Sequence, residues 1–196
     1  MQKVLLIIFI FTQINLYSQT QKVKDNFNYL IRDEEGDLNN DGLMDKVLVK
    51  MDTIDQTQPL KLEIYFLEKN GKYKLNVSTT KLIQPQYPDG KYCGNQIPNF
   101  FIENGILSMV SEIGKKHFSH DFKFKNNFFE LQKISSVIWD GKNLTTETDF
   151  NLLTGQKTEI TKALGSEKIL KKTTKKIIVK TLPKIDNFSA FDSKLN

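Results

Sequence analysis

Alternation of apolar and polar residues with a period of two is the feature that most constrains this chain. The stretch DKVLVKM places Val47, Val49 and Met51 on one face, and LKLEIYFLE repeats the pattern with four apolar residues. Side chains of a β-strand alternate between the two faces of a sheet, so such runs predict strands with one buried face. The chain is therefore expected to be built from strands.

Short turn signals separate these runs. Asn70-Gly71 lies between LKLEIYFLE and KYKLNVS, and an Asn-Gly pair between alternating runs is the strongest short signal for a β-hairpin. Asn104-Gly105, Asn126-Asn127 and Thr154-Gly155 predict three further hairpins. The sequence thus predicts a mainly β fold, an antiparallel hairpin meander that is propeller-like or barrel-like and has little helix.

Other segments carry weaker patterns. Residues 83–99 hold three of the five prolines and are expected to form a long loop, which is a usual place for a binding surface. Any helix of length is expected within residues 20–33 or 164–175. KKIIVKTL, near the end of the chain, is predicted as the last strand. LPKIDNFSAFD is expected to be a loop or short helix that packs Phe188 and Phe191 onto the edge of the sheet.

The first residues have the features of a secretory signal peptide. Lys3 precedes an apolar run from Val4 to Phe11, which is too short to span a bilayer as a helix, and a polar stretch follows. We therefore predict a signal peptide over residues 1–18 and a single β-rich domain over residues 19–196. The protein is expected to be periplasmic or secreted, with no transmembrane segment after cleavage.

Composition narrows the expected partners. The chain has one cysteine, Cys93, so no disulfide can form within it. The formal net charge is +5, and much of the excess lies late in the chain, from Lys162 to Lys180. Outside the cytoplasm nucleic acid is not an expected partner, whereas a basic stretch could meet an acidic protein or an anionic envelope. A solvated surface is the plain alternative.

The stretch GDLNNDGLMDKV, residues 36–47, is the strongest candidate site. Calcium takes six to eight oxygen ligands, and these ligands can come from one tight loop. The candidate ligands are the side chains of Asp37, Asn39, Asp41 and Asp45 and the backbone carbonyl of Leu43. The position at which an EF-hand carries a bidentate glutamate is occupied by Leu48, so the loop is not an EF-hand. An Asx-rich turn without a metal is the alternative.

The pattern D-x-N-x-D-G-x-x-D followed by an apolar strand resembles the calcium loops of FG-GAP and VCBS-type repeats of β-propellers, and less closely those of dockerins. The resemblance covers about a dozen residues. It implies a Ca²⁺ ion held by Asp37, Asn39, Asp41, Leu43 and Asp45. Mg²⁺ is less well suited, because it favours a strict octahedral shell with several waters.

The order of segments along nearly the whole chain is similar to that of small exported proteins of Bacteroidetes. The shared segments are the calcium loop, IYFLEKNGKYKL, a Cys-Gly loop, FKFKNNFFEL and DFNLLTGQKTEIT. The architecture also resembles periplasmic lysozyme inhibitors, in which a propeller-like sheet presents an inhibitory loop to an enzyme. Residues 110–120, VSEIGKKHFSH, depart from the Gly-, Ser- and Trp-rich segment of many relatives, and any binding role of that segment is not carried over.

Catalytic patterns are weak. His117 and His120 lie three apart in a predicted strand and are expected on opposite faces, as surface histidines rather than as a shared site. Cys93 is expected to be a small buried residue, and Trp139 a core anchor or a surface for a sugar or partner. No common catalytic motif occurs in the sequence. Four carboxylates remain nominal candidates for acid–base chemistry: Glu103, Glu112, Asp140 and Glu147.

These observations predict an exported, non-enzymatic, calcium-binding protein that binds a protein partner. An inhibitor or an immunity protein against a cell-wall-degrading enzyme or toxin is the most concrete form of this hypothesis. The alternatives are a hydrolase acting on envelope polymers and a glycan-binding surface protein. The segment from Lys162 to Lys180 and the loop from Ile83 to Asn99 are the candidate contact surfaces.

Overall fold

The computed structural model describes residues 26–94 and 97–189. The predicted signal peptide, residues 1–18, and the predicted packing of Phe191 lie outside the described residues. Two antiparallel sheets of four and seven strands make up the described part of the chain. The prediction of a mainly β fold is confirmed, and neither sheet closes into a barrel.

The first sheet is a four-stranded meander in chain order. Its strands are β1 (Tyr29–Gly36), β2 (Asp45–Met51), β3 (Leu60–Leu67) and β4 (Tyr73–Thr79). Strand β2 alternates strictly between buried and half-buried residues. The face predicted from DKVLVKM is therefore the face that packs into the core.

The second sheet is a seven-stranded meander, also in chain order. Its strands are β5 (Asn99–Glu103), β6 (Ile106–Ile113), β7 (Lys116–Lys125), β8 (Phe128–Trp139), β9 (Leu144–Asn151), β10 (Gln156–Ala163) and β11 (Ile169–Lys176). The helical structure of the described residues is one 3-10 turn at Pro88–Gly90, within the predicted long loop. No described helix is long and apolar enough to cross a membrane.

All four predicted hairpins are present. The turns at Asn70-Gly71, Asn104-Gly105, Asn126-Asn127 and Thr154-Gly155 connect paired antiparallel strands. Both residues of the Asn104-Gly105 turn and both of the Asn126-Asn127 turn have positive φ. Two-residue turns of this kind match the twist of the flanking strands, and Asn and Gly tolerate the conformation best.

Two predictions for the ends of the domain are wrong. Residues 164–175 hold no helix but most of strand β11, and residues 29–33 belong to β1 rather than to a helix. The last strand ends at Lys176 instead of running through KKIIVKTL. Both faces of β11 are exposed, so its residues carry no apolar alternation, and pairing with β10 sets its conformation.

One apolar core joins the two sheets. The fully buried side chains come from both sheets and from the segments between and after them. The C-terminal segment adds to this core, because the Ile185 amide donates to the Phe129 carbonyl at 2.9 Å and Phe188 is buried against Phe122. Phe188 therefore packs onto the sheet, but at the interior strand β7 rather than at the predicted edge.

The two sheets also touch where β1 ends. Gly36 is the last residue of β1, and a β-carbon at that position would lie 2.5 Å from Cγ2 of Ile102 in β5. A side chain larger than hydrogen would collide there, so the close approach of the strands requires glycine. The candidate calcium loop begins at the next residue.

Candidate metal centre

The candidate loop, residues 37–44, connects β1 to β2, and Asp45 is the first residue of β2. Leu38 is completely buried within it and belongs to the apolar core. Asn40 and Gly42 have positive φ, which bends the chain sharply enough to bring its polar side chains around one turn. The loop is thus anchored in the core at its second residue and exposed at its tip.

Three polar side chains fold over this loop. The Asp41 amide donates both to Asp37 Oδ1, at 3.1 Å, and to Asn39 Oδ1, at 2.9 Å. The Gly42 amide donates to Asp37 Oδ2 at 2.8 Å, and Asn39 Nδ2 donates to Asp41 Oδ2 at 3.0 Å. The structure therefore brings Asp37, Asn39 and Asp41 together, as the spacing of these residues predicts.

Asp45 is completely buried and forms different contacts. Its Oδ2 accepts the Leu38 amide at 2.9 Å, and its Oδ1 accepts the Leu67 amide at 3.0 Å. Leu67 ends β3, which pairs antiparallel with β2, so this one carboxylate ties the loop to the end of the neighbouring strand. Hydrogen bonds from backbone N–H groups to a carboxylate are among the stronger protein hydrogen bonds.

The pKa of the Asp45 carboxyl is raised above its ordinary value. Burial is the largest cause, because it penalises the charged form. The hydrogen bonds from the Leu38 and Leu67 amides act in the opposite direction, and the negative charges of Asp41 and Asp37 add to the rise. A cation among these carboxylates would favour the ionised form of Asp45.

The three carboxylates have no basic partner. In the described part of the chain, Asp37, Asp41 and Asp45 form no ion pair with a lysine, an arginine or a histidine. Three acidic groups within nine residues repel one another, and a buried carboxylate is costly unless a positive charge or several hydrogen bonds compensate it. The oxygen donors fit the preference of a hard divalent cation.

The arrangement is not a closed ligand shell. Across residues 26–94 and 97–189, no three side chains of His, Cys, Asp or Glu gather into a group that could hold a metal ion as they stand. The predicted ligand set also includes the Asn39 side chain and the Leu43 carbonyl, and neither of these is a His, Cys, Asp or Glu side chain. Leu48, at the position of the missing glutamate, is a half-buried residue of β2 opposite Glu63.

The loop also lies against the second sheet. A β-carbon on Gly105, in the turn between β5 and β6, would lie 2.8 Å from the side-chain amide of Asn40. Together with the contact of Gly36 and Ile102, this places both the start and the tip of the loop at the junction of the two sheets. An interaction that fixes the conformation of the loop therefore also stabilises the contact between the two sheets.

Sequence reasoning missed two residues of this centre. Leu38 is apolar in an acidic loop, and this is the signal that could have marked it as a core residue. Leu67 lies 22 residues from Asp45, and no local pattern connects the two residues. The predicted ligand Asp45 is thus also the backbone anchor of the loop.

The two histidines are separated as predicted. His117 is exposed and His120 is completely buried, on opposite faces of β7. His120 lies between the rings of Phe118 and Phe188, and neither of its ring nitrogens has a hydrogen-bond partner in the described structure. The expectation of a surface histidine therefore holds for His117 and is wrong for His120.

Two other expectations need correction. Trp139 is no core anchor, because its side chain is 38% exposed at the end of β8 with the Lys115 ammonium 4.6 Å from the centre of its ring. Cys93 is half-buried rather than enclosed, and its thiol lies 3.5 Å from the Pro85 carbonyl.

The four nominal catalytic carboxylates are dispersed. Glu103 ends β5, Asp140 follows β8 and is tied to backbone amides, and Glu147 of β9 pairs with Lys162 at 3.1 Å. Glu112 of β6 is three strands from Glu147, which is about 14 Å at the usual strand spacing. Acid–base pairs of glycosidases are closer than this.

Comparison with protein-family models, with curated proteins and with solved structures found no match for this chain.

Proposed function

We propose that this chain is an exported, non-enzymatic protein that binds calcium in the loop between β1 and β2 and uses its β-domain to bind a protein partner. The observation that carries the calcium part is the loop itself. Its three carboxylates lie within nine residues, have no basic partner in the described structure and include one that is completely buried.

The proposed ligands are the side chains of Asp37, Asn39, Asp41 and Asp45 with the Leu43 carbonyl. Bound calcium would supply the positive charge that these groups lack and would favour the ionised form of Asp45. Because Asp45 also accepts two backbone hydrogen bonds, it would act as a ligand and an anchor together. A site of this kind holds the chain together and offers little space for substrate chemistry.

The partner is proposed to be a protein of the cell envelope or its surroundings. The signal-peptide pattern of residues 1–18 supports export, and the absence of a possible disulfide makes a stabilising ion useful outside the cell. The most concrete form is an inhibitor or an immunity protein against a cell-wall-degrading enzyme or toxin. The resemblance to periplasmic lysozyme inhibitors motivates this form.

A glycan-binding surface protein is the second candidate. The exposed Trp139 favours it, because sugars stack on exposed aromatic rings. However, Lys115 already lies over this ring, and the neighbouring positions on the same sheet face are Thr145 and Lys162 rather than further aromatic residues. A row of aromatic rings, which would extend the surface along a sugar chain, does not form there.

Affinity capture tests the proposal. The immobilised chain, without residues 1–18, is exposed to envelope extract in the presence of calcium and then of EDTA. We expect calcium-dependent recovery of a peptidoglycan hydrolase or a toxin, followed by loss of that enzyme's activity on addition of the chain. Recovery of glycan alone, with no protein, would reject the proposal in favour of the second candidate.

A further inference from the structure

Within the described residues, strand β11 is an open edge of the larger sheet. It pairs with β10 on one side and is the last strand in the sheet order on the other. In an antiparallel edge strand, alternate residues direct their N–H and C=O groups away from the neighbouring strand. These groups can form hydrogen bonds with another extended chain.

Four lysines occupy this edge, and we call them the lysine edge: Lys171, Lys172, Lys175 and Lys176. All four are exposed, and none forms an ion pair in the described structure. The acidic side chains of the neighbouring strands are already paired, since Lys157 contacts Glu159 and Lys162 contacts Glu147. The positive charge of the lysine edge is therefore uncompensated within the described residues.

Apolar residues flank the lysine edge at both ends. Ile169 and Leu170 precede it and Ile177 and Ile178 follow it, and Ile178 is 85% exposed. The sequence from Ile169 to Ile178 thus reads apolar, basic, polar, basic, apolar, and its basic part, KKTTKK, is the same in both directions. A partner strand with acidic residues in the matching pattern would fit in either orientation.

A second copy of this chain does not fit the edge. Antiparallel edge-to-edge pairing centred on two β11 strands would place Lys171 of one copy opposite Lys175 of the other copy or, in the next register, Lys172 opposite Lys176. Like charges directly opposite each other destabilise a strand pair. Lysines on an edge strand commonly prevent such pairing.

A flat anionic surface also fits poorly. Lys171 and Lys175 project to one face of the sheet, and Lys172 and Lys176 project to the other face. A membrane could engage one of these faces at a time. A strand added beside β11 projects its own side chains to both faces, so it can meet all four lysines.

We propose that β11 docks an acidic, extended peptide segment of the protein partner by strand addition, with carboxylates opposite the lysine edge and apolar residues over its ends. This inference rests on the proposed function, since it assigns the surface through which the partner binds. Backbone hydrogen bonds supply part of the affinity, and the charges supply selectivity for acidic segments and faster association.

Titration with designed peptides tests the proposal directly. The probe is the peptide VEETTEEV, and its charge-inverted control is VKKTTKKV. We expect VEETTEEV to shift the backbone amide resonances of β11 in nuclear magnetic resonance spectra and to slow hydrogen exchange at alternate β11 amides. Binding should weaken as salt increases. VKKTTKKV should not bind.

N-methylation of the probe separates strand addition from simple charge attraction. One version of VEETTEEV is methylated at alternating backbone nitrogens along one edge only, and a second version is methylated along both edges. Because the probe reads the same in both directions and can present either edge to β11, strand addition predicts that the first version keeps binding through its free edge and the second version loses it. Equal binding of both versions would overturn the proposal.

Charge removal on the protein supplies a matched control. The variant with Lys171, Lys172, Lys175 and Lys176 all changed to Gln should raise the Kd for VEETTEEV about tenfold or more. The control variant carries the same change at four exposed lysines elsewhere: Lys69, Lys72, Lys81 and Lys91. This control should bind as the wild type does. Equal losses in both variants would contradict the proposal.

The outcome for the lysine edge is separable from that of the proposed function. If envelope extract yields a protein partner and the lysine-edge variant captures it equally well, this inference fails and the proposed function stands. If the wild-type chain captures no protein but VEETTEEV binds β11, the proposed function fails, whereas the inference that β11 binds an acidic extended peptide stands. Lysine-dependent binding to anionic phospholipid vesicles, without binding of VEETTEEV, would overturn the inference in favour of a membrane surface.

Discussion

Glu63 is a buried carboxylate on the face of the first sheet that points away from the shared core. It accepts hydrogen bonds from Lys50 at 2.7 Å and Tyr65 at 2.8 Å and pairs with Lys61 at 2.9 Å. Lys61 is itself buried, and its ammonium lies 4.8 Å from the centre of the Phe27 ring. Removing the carboxylate would take away an anion that both Lys50 and Lys61 contact.

We therefore predict that Glu63→Gln lowers the free energy of unfolding by about 2 to 4 kcal/mol. Urea unfolding at neutral pH measures this change. The control is Glu35→Gln, which removes an exposed ion pair with Lys46 and should have a much smaller effect. Similar effects of the two substitutions would show that burial does not strengthen the Glu63 contacts.

The same contacts predict a pH dependence. Burial alone would raise the pKa of Glu63, but the hydrogen bonds from Lys50, Lys61 and Tyr65 outweigh it and hold the pKa below its ordinary value of 4.5. The stability contributed by ionised Glu63 is therefore complete above pH 4.5 and is lost as the pH falls through the lowered pKa. Glu63→Gln should remove this part of the acid sensitivity, as measured by urea unfolding between pH 5 and pH 3.

The burial of His120 predicts a second loss of stability at acid pH. Burial lowers the pKa of its imidazole from 6.5 to about 4, and the nearby charge of Asp121 opposes this only weakly. The contribution of the neutral ring to the free energy of unfolding is complete above pH 6.5. About 3 kcal/mol of that free energy is lost as the pH falls from 6.5 to 4, because His120 takes up its proton at a higher pH in the unfolded chain than in the folded one.

Comparing the free energy of unfolding of His120→Leu with that of the wild type measures this loss of stability. The stability difference between the two proteins should change by that amount between pH 7 and pH 4. A measured pKa near 6.5 for His120 in the folded protein would contradict the account.

At the scale of elements, the hairpins were predictable because their signals are local. An alternating run and an Asn-Gly or Asn-Asn turn specify strand, turn and register within about twenty residues. Strand β11 carries no such signal, because both of its faces are exposed and its lysines and threonines suit a solvated edge. Strand β1 was missed for a related reason, since its residues are mostly exposed and charged.

The junction of the sheets supplies a prediction at this scale. Gly36→Ala would place a methyl group against Ile102 Cγ2, and overpacking of this kind costs about 1 to 3 kcal/mol. Combining it with Ile102→Ala should recover part of the loss, because Cγ2 is removed while the Ile102 β-carbon, 2.8 Å from the added methyl group, remains. Urea unfolding of the two single variants and the double variant gives the coupling energy. Purely additive effects would mean that β1 and β5 do not meet closely at Gly36.

The candidate metal centre was predictable in part. The spacing of Asp37, Asn39 and Asp41 in the sequence indicates one turn with converging oxygens, and the structure brings these side chains together. The contact between Asp45 and the Leu67 amide depends on how β3 returns beside β2, which no local pattern encodes. The position of the loop against Gly105 depends likewise on the packing of the two sheets.

At the scale of the whole molecule, the described chain is two open meanders that share one apolar core and meet at the candidate loop. The chain can form no disulfide within itself, so the core must supply most of its stability. A ligand that binds only the folded state adds stability that grows with its concentration. Calcium in the loop would therefore hold the junction of the sheets, and the partner is proposed to bind at the edge strand β11.

Thermal unfolding with and without calcium tests the central claim most directly. Calcium at one hundred times its Kd should raise the Tm by about 5 to 10 °C relative to EDTA. Asp37→Ala and Asp41→Ala should abolish this shift, whereas Asp186→Ala, which removes an exposed carboxylate elsewhere, should preserve it. The same Tm in calcium and in EDTA for the wild-type chain would contradict the account.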